Sequence, residues 1–387
     1  MAEPGRDPAG ADRQPILAYR DRVVPRSEAQ FLRRLYVGFE HLSPVWVGRH
    51  RGDGVGDLGT EPLMLGGGGV RGIIGRALFK EFGMMPAVPD LASLRPGLVH
   101  AHFGRGGALA LPIARALRVP LVVTFHGGDA TKESHYRRRW PPTVFQRRLA
   151  RLQREAALFI CVSEYIRDSL LRRGFPAEKL LVHRYGVEPG PENSGGEPEG
   201  EGAPILFAGR FVEKKGAAVL LDALRLLDPA IRPPAILAGE GPMGDELKRL
   251  AAPLGNVEFA GWLANAALRR RMRGALAVCV PSVAAADGDA EGLPNVVLEA
   301  MAEGVPVVAS RHAGIPEAVA HEETGLLVPP GDPEALAAAL RRLIGDPGLR
   351  RSMGRRAREV AAKRFGAAAQ SRRLEAILLD VMAGSPG

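Results

Sequence analysis

"EGLPNVVLEAMAEGVPVVAS", residues 291–310, carries the reading of the fold. Pro294 suits a first helical turn, and the run to Gly304 keeps helical spacing. "VPVVAS" then follows as a short β-branched apolar run, the pattern of a strand buried on both faces. Glu291 lies in the loop that enters the helix. Glu299, eight positions on, lies about a turn inside it. A helix N-terminus offers N–H groups without acceptors and a partial positive charge, which suits a phosphate.

The same alternation extends in both directions. "PILFAGR", "AILAGEG", "VEFAGW", "LAVCVPS" and "TGLLVPP" read as further strands, separated by helical patterns such as "AVLLDALRLL" and "EALAAALRRLI". Upstream, "PILAYR", "SPVWVGR", "LVHAHF", "PLVVTFH", "LFICVS" and "LLVHRYG" alternate with "SEAQFLRRLYVGF", "ALALPIARAL" and "EYIRDSLLRRG". Between the halves, "GVEPGPENSGGEPEGEGA" (186–203) is rich in Gly, Pro and Glu and reads as a linker. The fold class is α/β: two Rossmann-like domains whose parallel sheets face each other across a cleft. Ligands of such sheets bind beyond the carboxyl ends of the strands.

The bulk numbers agree. The chain has 387 residues, 46% apolar and 25% charged, with a net charge of +9. That size favours two domains. No apolar run is long enough to span a bilayer. The first 15 residues lack an apolar core and read as a disordered leader, which implies a cytoplasmic protein. Cys161 and Cys279 sit inside apolar runs and read as buried, reduced thiols. The positive charge favours anionic partners. No nucleic-acid motif accompanies it, so nucleic acid is not expected as a partner.

Two more stretches carry chemistry. In "AGRFVEKKG" (208–216), Arg210 ends a strand and Lys215 opens the next helix. There a diphosphate would meet a guanidinium fork and an ammonium. In "TFHGGDA" (124–130), His126 and Asp129 follow a strand of the first half. Alone, each reads as solvated cations or a structural histidine. Together with the Glu pair they read as one site.

Taken in order, "AGRFVEKKG", "LAGEGP", "FAGWL", "PSV", "EGLPNVVLEAMAEGVPVVAS", "GIPE" and "TGLLVPPGD" resemble the largest family of retaining glycosyltransferases with the GT-B fold, family four. That family carries Glu-x7-Glu in its second domain. "VPRSEAQF", "HAHFG" and "TFHGGD" resemble its exopolysaccharide and lipopolysaccharide branch. The resemblance spans residues ~16–380 and implies an acceptor domain over 16–185. A nucleotide-sugar domain follows over 204–363, and a last helix over 364–387 returns to the first domain.

The resemblance also implies roles. Arg210 and Lys215 would hold the donor diphosphate, Glu291 the sugar hydroxyls, Glu299 the ribose, and His126 the sugar. The amides around Gly292 and Leu293 would face sugar and phosphate, with Asn295 and Val296 beside the diphosphate. Gly209 belongs to the same donor site, and the base would lie near Gly241, Trp262 and Leu263. Ser27, Glu28 and Asp129 would face the acceptor. No metal and no cofactor are implied beyond a UDP-, GDP- or ADP-sugar co-substrate. The acceptor would be a lipid-linked or cell-surface glycan precursor, or alternatively a small secondary metabolite.

The same residues admit rival readings. Glu291 and Glu299 could be the carboxylate pair of a glycoside hydrolase, but that chemistry needs no diphosphate site. Asp287 and Asp289 match a metal-binding D-x-D, in a small-residue loop that reads better as mobile and acidic. A non-catalytic sugar-nucleotide binder remains a third alternative. The Arg-rich 137–154, interleaved with Trp140, Val144, Phe145 and Leu149, suggests contact with an anionic membrane face. Finally, Gly67, Gly69 and Gly72 satisfy G-x-G-x-x-G, but they follow neither the first strand nor its turn. They read as a mobile loop or surface insertion and not as a dinucleotide site.

Overall fold

A computed structural model describes residues 13–58, 60–66, 69–84, 91–137, 139–191 and 202–384. The chain divides into two compact units. One runs to Val162, continues over Arg167–Arg184 and takes in the segment from Ala367. The other comprises Ser163–Ile166 and Tyr185–Gly366.

The first unit contains β1 (Gln14–Tyr19), β2 (Arg22–Val23), β3 (Leu42–Gly48), β4 (His50–Arg51), β5 (Leu63–Met64), β6 (Val99–His102), β7 (Leu121–Phe125), β8 (Leu158–Cys161) and β9 (Leu180–Val182). Seven of these form a parallel sheet in the order β5-β3-β1-β6-β7-β8-β9, and β2 pairs with β4. The chain leaves β1 for one side, then returns to lay β6 against β1 and works outward on the other side. The crevice beyond the carboxyl ends of β1 and β6 is therefore the topological switch point, where such sheets take ligands.

Helix α1 (Arg26–Arg34) follows β2, and α2 (Gly69–Phe82) follows β5. The α3 helix (Gly104–Leu117) joins β6 to β7, while α4 (Gly128–Thr131), α5 (Glu133–Tyr136) and α6 (Val144–Glu155) join β7 to β8. The α7 helix (Glu164–Arg172) leads to β9. Strands β6, β7 and β8 are buried along their whole length; β7 and β8 are accordingly unbroken runs of apolar or small residues, whereas β6 also buries His100 and His102. Gly107 lets α3 sit tightly on β7: a Cβ there would fall 2.7 Å from Val123.

The second unit holds β10 (Ile205–Ala208), α8 (Ala217–Arg225), β11 (Ala235–Ala238), α9 (Gly244–Ala251), β12 (Val257–Gly261), α10 (Asn265–Arg273), β13 (Ala277–Val280), α11 (Asn295–Ala302), β14 (Val307–Ser310), β15 (Gly325–Val328), α12 (Pro333–Gly345) and α13 (Pro347–Phe365). Its strands run parallel in the order β12-β11-β10-β13-β14-β15, so the switch point lies between β10 and β13. Phe207, Leu220, Leu237, Cys279 and Leu340 lie in its core. Both cysteines are buried, and neither forms a disulfide among the described residues.

The last helix, α14 (Ala367–Met382), groups with the first unit. Its buried Glu375 accepts N–H bonds from Glu40, His41 and Leu42 at 2.9, 2.6 and 2.7 Å. Ser371 donates to the Leu35 carbonyl at 2.8 Å.

Several expectations are corrected. β1 begins at Gln14, inside the stretch read as a leader; residues 1–12 lie outside the described ones. Gly69 and Gly72 are helical, in α2, so this part of the glycine run is not a loop. From Val70 onward the run is rich in Ile, Leu, Ala, Arg and Lys, and Gly72 turns inward where no side chain is needed. Gly67 lies outside the described residues, as does most of the linker. In the basic stretch, Val144 and Phe145 are buried and cannot be membrane anchors. Arg148 instead donates to the carbonyls of Ala108, Phe79 and Lys80, and Arg147 pairs with Glu81. Both hold the C-terminal end of α2.

Candidate active site

In the second unit the two cation-bearing and acid-bearing loops meet at the switch point. The segment after β10 places Lys214 and Lys215 in a 3₁₀ turn that ends at Gly216. Gly216 is left-handed (φ 67°), and a Cβ there would strike the Pro281 carbonyl oxygen at 1.8 Å. Only glycine allows this approach to the loop after β13. The two loops are then stitched together. Val283 donates to the Lys214 carbonyl at 2.9 Å, and Ala286 to the Glu213 carboxylate at 3.3 Å.

Across this seam lie the ion pairs. Lys215 Nζ is 3.0 Å from Glu291 Oε2, and Lys214 Nζ is 2.9 Å from Asp289 Oδ1. Lys214 also lies 3.4 Å from Glu291 Oε1. That contact is an ion pair without hydrogen-bond geometry, so Oε1 has no hydrogen-bond partner among the described residues. Burial pushes the Glu291 carboxyl up, but Lys215 and Lys214 outweigh it and hold it below the ordinary carboxylate value. Burial lowers Lys214 less than Glu291 and Asp289 raise it. Lys214 was missed in the sequence, where nothing distinguishes it from its neighbour.

Arg210 is exposed beside this cluster in sequence, two residues past β10, and makes no ion pair among the described residues. Gly209 lies alongside Lys215: its Cβ position is 3.4 Å from the Lys215 chain. Gly241 approaches Phe211 so closely that a Cβ would fall 2.5 Å from the Phe211 carbonyl oxygen. The loop after β11 therefore hugs the loop after β10. Trp262 is 40% exposed after β12, with Leu263 half-buried next to it.

Helix α11 starts at Asn295, with Pro294 just before it. The first-turn N–H groups, including those of Asn295 and Val296, have no intrahelical acceptor. Gly292 and Leu293 are buried ahead of them, and the Gly292 carbonyl accepts from Gly314 at 3.0 Å. Glu299, in α11, is buried and accepts from Asn265 Nδ2 at 2.9 Å. Asp289 is engaged by Lys214, and Asp287 accepts from the Asp289 amide at 3.0 Å. The D-x-D pair thus closes its own loop.

Two residues escaped the sequence reading. Ser282 Oγ, two residues past β13, and His312 Nε2, two past β14, are buried without hydrogen-bond partners among the described residues. They lie on loops at the same sheet edge as Glu291, whose Oε1 has the Lys214 ion pair but no hydrogen bond. Such groups cluster where a ligand completes them. Burial lowers the His312 imidazole, while Glu291 works in the opposite direction.

The first unit presents a second constellation at its own switch point. His126 follows β7 and is buried, with the Phe103 ring 4.4 Å away. Phe103 has φ 68°, rare for a residue with a side chain, and Arg20 lies 4.2 Å over its ring. Glu28 holds Arg20 through two bonds of 2.8 Å. Asp129 accepts from the amides of Gly104, His126 and Gly127 at 3.0, 3.0 and 2.8 Å. Its carboxylate is thus engaged in organising the loop. Burial raises its pKa despite those three bonds. Ser27 lies in α1, and its side chain is outside the described residues. His100, His102 and Tyr36, which "HAHF" half reveals, bond into the same cluster.

Comparison with known proteins gives the family and the fold. The family model "Glycosyl transferases group 1" matches residues 193–360, and "Glycosyltransferase Family 4" matches 67–190. The amylovoran biosynthesis glycosyltransferase AmsK of Erwinia amylovora is 35% identical over 62% of this chain, which spans 60% of that relative's length. The putative colanic acid biosynthesis glycosyltransferase WcaL of Salmonella typhimurium is 32% identical over 73% of this chain and 70% of its own. Among solved structures, Anabaena Alr3699/HepE in complex with UDP superposes with a TM-score of 0.74 at 19% identity, covering 95% of this chain and 100% of that one. The chain therefore belongs to the group 1 glycosyl transferases of glycosyltransferase family 4, on the GT-B fold.

Proposed function

We propose that the chain transfers a sugar from a nucleotide-diphosphate sugar to an acceptor with retention of anomeric configuration. The donor would bind at the second unit's switch point. The observation that carries this reading is the Lys215–Glu291 pair beside exposed Arg210 and the N-terminus of α11. Breaking the anomeric C–O bond leaves an oxocarbenium-like carbon and adds negative charge to the diphosphate. Arg210, Lys215 and the first amides of α11 are fixed donors for that charge. Glu291 would take the sugar hydroxyls, Glu299 the ribose, and the loop at Gly241, Trp262 and Leu263 the base. His126 would touch a sugar. HepE has been solved with UDP and with UDP-glucose, which favours a UDP-sugar as donor. AmsK and WcaL favour a cell-surface glycan precursor as acceptor.

Transfer proceeds without a metal on this reading, because Lys214 occupies Asp289. Full activity in excess chelator is the expected result. Contact with an anionic membrane is supported by α2 and, within 137–154, by the exposed Trp140 but not by the buried Val144 and Phe145. Val70, Ile73, Ile74 and Phe82 of α2 are exposed, with Arg71, Arg76 and Lys80 among them. Among the described residues no helix is long and apolar enough to cross a membrane. Cosedimentation with anionic vesicles, lost in Ile73→Glu, checks this contact; equal binding of the variant removes it. The test of the reaction itself is the product. A UDP-sugar with a lipid-linked acceptor should give a glycoside whose anomeric proton coupling matches the donor. An inverted product, or hydrolysis with no transfer to any acceptor, contradicts the proposal.

A further inference from the structure

Two consecutive lysines of the second unit share one carboxylate, and they share it unequally. Lys215 Nζ lies 3.0 Å from Glu291 Oε2. Lys214 Nζ lies 3.4 Å from Oε1, which has no hydrogen-bond partner among the described residues and is closed off from solvent. Lys214 is held independently of Glu291. Its ammonium donates to Asp289 Oδ1 at 2.9 Å, and its carbonyl accepts from Val283 at 2.9 Å. Asp289 belongs to a closed loop: its carbonyl accepts from Ala285 and its amide donates to Asp287 Oδ1, both at 3.0 Å. Lys214 is therefore anchored at both its backbone and its charge.

Two cations and two carboxylates balance in this cluster, and the four side chains are only 11–18% exposed. A diphosphate that engages Lys215 disturbs the balance. Its oxygens compete with Glu291 Oε2 for the same ammonium and bring negative charge beside a buried carboxylate. A buried carboxylate that loses its cation takes up a proton. Among the described residues, the charged and titratable groups that act on Glu291 come from three places. Lys214 and Lys215 lie on the turn after β10, Asp289 acts through Lys214 from the loop before α11, and His312 lies on the loop after β14. Of these, Lys214 is the cation that stays opposite Glu291 when Lys215 turns to a ligand.

We propose that Lys214 is a positioning residue that keeps Glu291 ionised and in place while Lys215 serves the donor's diphosphate. The two neighbours divide the roles: Lys215 touches the ligand, and Lys214 does not need to. Asp289 is the anchor that keeps Lys214 from following Lys215 to the phosphate. Glu291 thus remains a charged acceptor, with Oε1 on Lys214 and Oε2 offered to a sugar hydroxyl. The inference rests on the reading of the second unit's switch point as the donor site.

Proton linkage of ligand binding separates this role from a merely structural one. UDP and inorganic pyrophosphate are titrated calorimetrically into the full-length protein, in two buffers of different ionisation enthalpy. The difference in heat counts the protons taken up. The pH is set between 4.5, the ordinary carboxylate value, and neutrality. In the wild type Lys214 should leave Glu291 ionised when either probe binds. In Lys214→Met, probe and carboxylate compete for Lys215, so binding should bring in a fraction of a proton more than in the wild type. The ionisation of the probe itself is common to both proteins. Lys214→Gln, which keeps a donor for Asp289 without the charge, should show the same extra uptake. Adding Glu291→Gln to either variant should abolish it. Equal uptake in the wild type and both variants overturns the proposal. So does an extra proton in Lys214→Met but not in Lys214→Gln, which would make Lys214 only a loop anchor. Extra uptake that persists with Glu291→Gln places the proton on His312 or elsewhere and overturns it too. The two levels fail differently. A wild type that binds neither probe removes the diphosphate reading and this inference with it. Binding that is lost in Lys215→Met, with no extra uptake in the Lys214 variants, keeps the donor site and overturns the role of Lys214 alone.

Discussion

Lys215→Met separates a diphosphate-binding lysine from one that only neutralises Glu291. The substitution keeps the apolar stem and removes the ammonium 3.0 Å from Glu291 Oε2. Glu291 then retains Lys214 at 3.4 Å, without a hydrogen bond. Breaking a buried ion pair costs about 3–5 kcal/mol when nothing replaces it. With Lys214 still present and the Lys215 side chain 18% exposed, about 1–3 kcal/mol is the reasoned loss. The sign with pH follows from Glu291. Its folded-state pKa is depressed, so its contribution is present above the ordinary value of 4.5 and is lost as pH falls through the folded value. The stability gap between wild type and variant should therefore be widest near pH 7 and narrow below that value. Binding behaves differently. A charge-assisted hydrogen bond to phosphate is worth about 1.5–3 kcal/mol, or roughly ten- to 150-fold in Kd. Calorimetry with the bare nucleoside diphosphate reads this without the sugar that Glu291 would hold. Adding Glu291→Gln should restore part of the lost stability and none of the lost affinity. Wild-type affinity in Lys215→Met, or affinity restored by the second change, refutes the diphosphate role.

Three further outcomes follow from the same geometry. Arg210→Ala should lower kcat by about 10²–10³ with an unchanged melting temperature, because its guanidinium is exposed and makes no ion pair among the described residues. A matching loss of stability would mean a structural role instead. Gly241→Ala puts a Cβ 2.5 Å from the Phe211 carbonyl oxygen, so about 1–3 kcal/mol of overpacking should appear in urea unfolding, with weaker nucleotide binding. Glu375→Ala strips the acceptor from the amides of Glu40, His41 and Leu42; denaturant unfolding should show a loss of about 2–4 kcal/mol, and a loss under 1 kcal/mol would count against that cap.

Much of the fold could be read from the chain because parallel strands buried on both faces are nearly continuous apolar runs. Each of the six strands of the second unit falls within a run identified that way. The loop position of Glu291 and the helical position of Glu299 were legible from Pro294 and the spacing behind it. Legibility ended where a side chain's partner is distant in sequence. Arg147 and Arg148 look like surface cations, yet they are occupied by Glu81 and by carbonyls of two other helices. Glu375 looks like a solvated helix residue, yet it is buried against amides from the other end of the chain. The glycines of α2 look like a loop because glycine is a weak helix former; Gly72 is buried and its helix stands regardless. His100 and His102 alternate with apolar residues in β6 and read as strand. Only the fold brings Tyr36 between them. Ser282 lies within "PSV", where nothing marks its hydroxyl, and His312 has no sequence signal; their interest comes from polar atoms that are buried and unmet.

Ligand-dependent melting of the full-length protein tests the central claim most directly. A panel of UDP, GDP and ADP with their sugars, and NAD(P) as control, is titrated against thermal unfolding. The expected result is stabilisation by one nucleoside diphosphate and its sugars, about 2.7 kcal/mol at 100 times Kd. That stabilisation should be lost in Arg210→Ala and Lys215→Met. Stabilisation by NAD(P) alone, or by a nucleoside diphosphate equally in both variants, would contradict a donor site at the second unit's switch point.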